Sequence, residues 1–165
     1  MAKGSIYIYS GEGRGKSSAA IGRAVQAATE GHSVVIIQFL KGKGLEDSDF
    51  LKRMEPEIKL FRFEKSGENF EQLPEDKKQE EISNIKNGLN FARKVLATGE
   101  CELLVLDEVL GLVEKGIVES GELEEILESR EDTGIILTGI NLPDSICFMA
   151  DEVSKLETVK FKVWE

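Results

Sequence analysis

The residues best equipped for chemistry lie close together near the start of the chain, in Ser10-Gly11-Glu12-Gly13-Arg14-Gly15-Lys16-Ser17-Ser18. Alternating glycines let successive backbone N–H groups curl around an anion with no Cβ in the way. Lys16 and Arg14 add positive charge, and the Ser17 hydroxyl can reach a Mg²⁺ ion held by phosphates. A strict G-x-x-x-x-G-K-[ST] pattern would have glycine where this chain has Ser10. A second chemical group lies far downstream. Leu103-Leu104-Val105-Leu106 runs into Asp107-Glu108, an apolar stretch delivering an acidic pair of the kind that holds Mg²⁺ beside phosphates. Lys41 and Lys43, in Lys41-Gly42-Lys43-Gly44, form a third group, either a solvated turn or part of a ligand site.

These residues need elements to position them. Ile6-Tyr7-Ile8-Tyr9 reads as a strand leading into the glycine loop, and an Ala-rich helix from about Lys16 to Glu30 follows, stopped by Gly31. A glycine turn with a helix-capping serine would account for the loop alone. Strand, loop, Lys-Ser pair and helix together argue for a phosphate-binding loop whose helix N-terminus faces the anion. Val34 to Phe39 is an almost unbroken apolar run, suited to a strand covered on both faces. It ends in the Lys41–Gly44 loop, at the carboxyl end of a strand, where ligands of open α/β sheets bind. Ile58 to Phe63 predicts a third strand and Glu64 to Glu75 a loop. Ile82, Ile85, Leu89, Ala92 and Leu96 predict an amphipathic helix ending near Gly99. A helix within Glu119 to Asp132, a strand over Gly134 to Thr138, and a short helix from Pro143 to Ala150 follow. Strand-like runs at Val153 to Leu156 and Val159 to Trp164 close the chain. The alternation predicts an α/β fold: a three-layer α/β/α phosphate-loop NTPase-like (RecA-like) domain with a mainly parallel sheet, spanning residues 1–165 as one unit.

At 165 residues the chain can bury a real core. Its net charge of −10 argues against nucleic acid or an anionic membrane as a partner. Cys101 and Cys147 sit in apolar surroundings without metal-ligand spacing, and read as reduced, buried thiols of a cytoplasmic protein. His32, the one histidine, falls where a helix turns into a strand and reads as structural or exposed, and no Ser-His-Asp or Cys-His set can be assembled without it.

Taken in order, the motifs resemble those of the ATP:corrinoid adenosyltransferases of the CobA/CobO/BtuR type. Residues 10–20 are similar to that family's T-G-x-G-K-G-K-T-T-A-A, where the first position is also not glycine. Ile37-Gln38-Phe39-Leu40-Lys41-Gly42 resembles V-Q-F-I-K-G, and Val105-Leu106-Asp107-Glu108-Val109 resembles V-L-D-E-L. Thr138-Gly139 and Ala150-Asp151-Glu152-Val153-Ser154 resemble T-G-R and A-D-x-V-[ST]. The resemblance implies transfer of the 5′-deoxyadenosyl group of ATP to Co(I) of a reduced corrinoid, with triphosphate leaving. It implies catalytic roles for Lys16, Arg14 and Glu108. The nucleotide and corrinoid would be bound by Gly11, Glu12, Gly13, Arg14, Gly15, Lys16, Ser17, Ser18, Gln38, Lys41 and Phe70. Ser17, Asp107 and Glu108 would hold Mg²⁺. ATP would run in the reverse sense along the loop, and the protein would be a homodimer, with a flavoprotein reductant left open as a further partner.

Three stretches depart from the family pattern. Thr138-Gly139 is followed by Ile140 rather than arginine, and the loop G-F-T-W reads Gly67-Glu68-Asn69-Phe70. The tail runs Val159-Lys160-Phe161-Lys162-Val163-Trp164-Glu165. These departures fall on the corrinoid side. They leave open an ATP-binding paralogue without transfer activity, and the motifs alone also admit another phosphohydrolase or kinase.

Overall fold

The computed structural model describes residues 3–40 and 52–163. Its strands are β1 (Ile6–Ser10), β2 (Val34–Gln38), β3 (Ile58–Arg62), β4 (Leu103–Asp107), β5 (Gly134–Thr138) and β6 (Glu152–Lys155). The helices are α1 (Lys16–Thr29), α2 (Glu75–Thr98), α3 (Val109–Glu114), α4 (Ser120–Glu128) and α5 (Asp144–Met149), with a 3-10 turn at Phe70–Gln72. All strand pairs are parallel, in the order β3-β2-β4-β5-β1-β6. The α/β class and parallel sheet are as the alternation predicts, and β5 separates the loop-bearing β1 from the acidic β4.

The order of the strands explains the layers. The chain leaves β1 toward the β3 edge through α1, then returns from β3 toward the β6 edge through α2 to α5. Right-handed crossovers in opposite directions lie on opposite faces of a sheet. Accordingly Ala20 and Ala24 of α1 pack on Val34, Ile36, Val105 and Ile136. Ile85 and Leu89 of α2, Leu110 of α3, Leu123 and Ile126 of α4, and Ile146 of α5 pack on Val35, Ile37, Leu104, Leu106 and Leu137. Neighbours β1 and β5 therefore send their chains to opposite faces, and the crevice between their carboxyl ends is the switch point where α/β ligands bind.

Local signals fixed most boundaries. The N–H of Gly31 donates to the Ala28 carbonyl, and that of Gly99, at φ 66°, donates to the Val95 carbonyl; both sit at the predicted helix ends. Some predictions change. Helix α2 begins at Glu75, well before its first apolar residue at Ile82, because Pro74 and the acidic first turn suit a helix start. The predicted loop after β3 holds the 3-10 turn, which Asn69 caps by accepting from the Glu71 N–H. The apolar alternation at 159–163 does not form a strand; the segment leaves the sheet and crosses the phosphate loop, with Val159 and Val163 exposed. Cys101 is buried as expected, but Cys147 is exposed, because its turn of α5 faces outward while Ile146 faces the core. Among the described residues no helix is long and apolar enough to cross a membrane.

Candidate nucleotide site and adjoining groove

β1 ends at the glycine loop and α1 begins at Lys16, so the first N–H groups of that helix face the loop without intrahelical partners. Gly15 precedes the helix at φ 98°, a left-handed conformation that a side chain would strain. Gly13 is needed for another reason. A Cβ there would lie 2.5 Å from the Leu156 carbonyl carbon and oxygen, because the chain after β6 passes directly over the loop. The Gly13 N–H donates to the Leu156 carbonyl at 2.9 Å, and the Arg14 N–H donates to the Thr158 hydroxyl at 2.7 Å. The Arg14 guanidinium lies 4.0 Å from the centre of the Phe161 ring. Lys16 Nζ donates to the Gly13 carbonyl, which keeps the lysine folded along the loop. Glu12 and Ser18 are exposed on either side.

Parallel register brings the distant residues here. Gln38 of β2 stands opposite Asp107 of β4, and Thr138 lies one residue past the Leu106–Leu137 pair. Asp107 is almost fully buried, and Oδ1 accepts from the Ser17 hydroxyl at 2.8 Å and the Thr138 hydroxyl at 2.7 Å. Gln38 Nε2 donates to Oδ2 at 3.3 Å. The structure thus unites Ser17, Gln38 and Asp107, three residues predicted from separate motifs. It adds Thr138, whose hydroxyl also accepts from the Glu108 N–H. The signals for Thr138 were its place at the end of an apolar strand and its match to the T-G-R pattern, though its role as a brace depends on strand order.

Glu108 diverges from its neighbour. At φ 64° it turns the chain into α3, and its side chain lines a groove of about 200 Å³ with Leu40, Asn69, Phe70, Gly111, Glu114, Lys115 and Ile140. Helix α3 was not legible in the sequence. The 3-10 turn carrying Phe70 is tied to the end of α3 by the Lys115–Glu71 ion pair at 2.5 Å. Glu108 and Phe70, predicted from different motifs, therefore share one groove. Ile140, in place of the family's arginine, is on its wall.

Two buried carboxylates hold the loops that frame this groove. Glu64 accepts from the Leu40 N–H at 2.8 Å, directly before Lys41, which lies outside the described residues. Glu81 accepts from the N–H groups of Lys65 and Ser66, leading into Gly67–Phe70. Burial pushes the Glu64 carboxyl above its usual range, and the nearby Glu81 charge adds to this, while the Leu40 N–H and Arg62 act in the opposite direction.

The donor set at Asp107 suits Mg²⁺. A hydroxyl and a carboxylate in contact beside a phosphate loop are hard oxygen ligands, of the few this ion takes from protein while phosphates and water supply the rest. Gln38 Oε1 is buried there with no hydrogen-bond partner among the described residues. The N–H groups of Gly11, Gly13 and Arg14 are committed to Ile140, Leu156 and Thr158, so an anion at this loop would meet the start of α1 and Lys16. The groove pairs apolar Leu40, Phe70 and Ile140 with charged Glu108, Glu114 and Lys115.

The family model described as ATP:corrinoid adenosyltransferase BtuR/CobO/CobP matches residues 2–165. A corrinoid adenosyltransferase of Pseudomonas aeruginosa is 28% identical over 160 residues, covering 96% of this chain and 77% of that one. The Escherichia coli K12 corrinoid adenosyltransferase is 27% identical over 159 residues, covering 96% and 79%. Among solved structures, the replication initiator DnaA bound to AMPPCP and single-stranded DNA aligns with a TM-score of 0.46 at 18% identity. That alignment covers 94% of this chain and 40% of that one, and carries no functional argument.

Proposed function

Because this chain belongs to the BtuR/CobO/CobP family of ATP:corrinoid adenosyltransferases, we propose that it transfers the 5′-deoxyadenosyl group of ATP to Co(I) of a reduced corrinoid. The cobalt lone pair forms the bond to C5′, the C5′–O bond breaks, and its electrons leave on triphosphate. The protein then needs no nucleophile or general base of its own; it orients the substrates and stabilises the leaving group.

One observation carries this reading: adjacent residues at the end of β4 serve two chemically different compartments. Asp107 accepts from Ser17 of the phosphate loop, and Glu108 lines the groove with Phe70. A nucleotide held by the first and a flat macrocycle resting on the second would meet at the end of one strand.

In this proposal the N–H groups at the start of α1, with Lys16 and the Arg14 side chain, gather the triphosphate, the Gly13 and Arg14 amides being held by the segment after β6, and Lys41 reaches a phosphate. ATP lies reversed along the loop, with C5′ toward the groove. Ser17 and Asp107 would hold Mg²⁺, which when bound would supply positive charge against the leaving triphosphate. Glu108, expected with Ser17 and Asp107 at the metal, also lines the groove, so in this proposal it stands between the two compartments. Phe70 packs against the corrinoid, excluding water from one face of it. A homodimer of single-domain subunits, a flavoprotein reductant and a cytoplasmic setting complete the proposal.

The test is an anaerobic assay with chemically reduced cobalamin, ATP and Mg²⁺, following the cobalt spectrum. A light-sensitive adenosyl–cobalt product with stoichiometric triphosphate is expected, and ATP binding without product would overturn the proposal. In parallel, Lys16→Ala should abolish ATP binding in calorimetry, whereas Phe70→Ala should leave it intact and lower kcat/KM for the corrinoid about tenfold or more. Equal loss of ATP binding in both variants would contradict the division into two compartments.

A further inference from the structure

We infer that Gln38 is a positioning residue for the metal, and that its side-chain carbonyl accepts a hydrogen bond from a water in the hydration shell of the nucleotide-bound divalent cation. The inference rests on the Mg-nucleotide reading given above. Gln38 is 2% exposed, and Oε1 has no hydrogen-bond partner among the described residues, although it lies at the end of a side chain whose Nε2 reaches the Asp107 carboxylate. A buried amide oxygen left unpaired is costly, so such an atom in a binding site points to a donor that arrives with the ligand.

The orientation of the amide follows from its neighbours. Exchanging its oxygen and nitrogen would set a carbonyl against Asp107 Oδ2, an acceptor facing an acceptor. Nε2 therefore faces Asp107, and Oε1 is left as an acceptor in the same cluster. Asp107 is an acceptor as a carboxylate, and the Ser17 hydroxyl commits its proton to Asp107 Oδ1 at 2.8 Å. Thr138 commits its own proton to the same oxygen at 2.7 Å. The donor that complements such a set is a strong one. Water bound to a divalent cation donates well and, with its lone pair on the metal, has little to accept with. Parallel register fixes the arrangement, since Gln38 and Asp107 are paired directly across β2 and β4. Groups that orient metal ligands and their waters in this way commonly change metal affinity 10- to 100-fold when removed.

The experiment measures the affinity of Mg²⁺ for the protein–ATP complex by calorimetry, with Mn²⁺ binding followed by paramagnetic resonance as an independent readout. ATP affinity without metal is measured alongside. Gln38→Met, which keeps the length and loses both polar atoms, should weaken the metal about tenfold while metal-free ATP binding stays within about twofold. Gln38→Glu keeps an acceptor at this position but loses the donor to Asp107, and should retain metal affinity within about threefold of the parent or exceed it. Metal affinity unmoved in Gln38→Met would overturn the inference. So would equal loss in both variants, which would mean that the donation to Asp107 is the only role of this side chain. The parent protein separates the two levels: ATP binding that ignores Mg²⁺ removes the metal reading itself, whereas metal-dependent binding insensitive to Gln38 removes only the inference.

Discussion

Asp107 takes two hydroxyls on one oxygen and an amide on the other, so a single buried carboxylate joins the phosphate loop, β2 and β5. Its charge is stabilised by this ring of donors, as buried charges require. Glu64 is a contrasting case, holding the Leu40 N–H while burial raises its affinity for a proton. The folded state therefore binds that proton more tightly than the unfolded chain does. Its ionisation costs stability as pH rises from the ordinary glutamate range through the raised folded value, and the cost stands in full above it. Glu64→Gln keeps an acceptor for the Leu40 N–H and removes the charge. Its Tm at pH 7 should exceed the parent's by about 2–4 °C, with the gain shrinking as pH falls toward the ordinary carboxylate range. A Tm at pH 7 equal to or below the parent's would show that the charge is not the cost.

At the scale of elements, the phosphate loop is shaped from outside as well as by its own glycines. The segment after β6 lies across it, with the Leu156 N–H donating to the Ser10 carbonyl and the Leu156 carbonyl accepting from the Gly13 N–H. A methyl group at position 13 would meet backbone atoms of Leu156 and Glu157 at 2.5–2.6 Å, which cannot rotate out of the way. Gly13→Ala should therefore lift this segment and cost about 1–3 kcal/mol in urea unfolding. Faster hydrogen exchange at the Leu156 N–H should accompany it, and parent-like exchange there would refute the contact as the reason for this glycine. Helix α3 teaches a related lesson. Val109-Leu110-Gly111-Leu112-Val113-Glu114 is short, centred on a glycine and apolar nearly throughout, so no 3.6-residue pattern stands out. Its helical state comes from Glu108 turning the chain and from Leu110 and Leu112 burying against the sheet.

Across the whole molecule stability is unevenly distributed. The central strands β4 and β5 are covered on both faces, whereas β6 is an edge strand with Val153 40% exposed. Leu106→Ala, at a fully buried site, should cost about 2–5 kcal/mol. Val153→Ala should change stability by less than about 1 kcal/mol in the same urea titrations. Similar losses for both would contradict a core centred on β4. Asp107 and Thr138 end the buried central strands β4 and β5, while Phe70 and the segment after β6 lie outside the sheet.

The sequence alone determined what depends on local chemistry. Strand, glycine loop and helix could be read from residues 6–30, because turn conformation, helix capping and apolar periodicity are properties of neighbouring residues. The acidic pair, the helix ends at Gly31 and Gly99 and the parallel α/β class were legible for the same reason. Tertiary structure decided what depends on strand order and register. Gln38, Asp107 and Thr138 meet because β2, β4 and β5 are neighbours, although the chain visits them in three separate passes. The parting of Asp107 from Glu108, the exposure of Cys147 and the use of Gly13 by the C-terminal segment were likewise set by packing. Adjacent residues in a chain share a local environment, but which distant element faces each of them is a property of the assembled sheet.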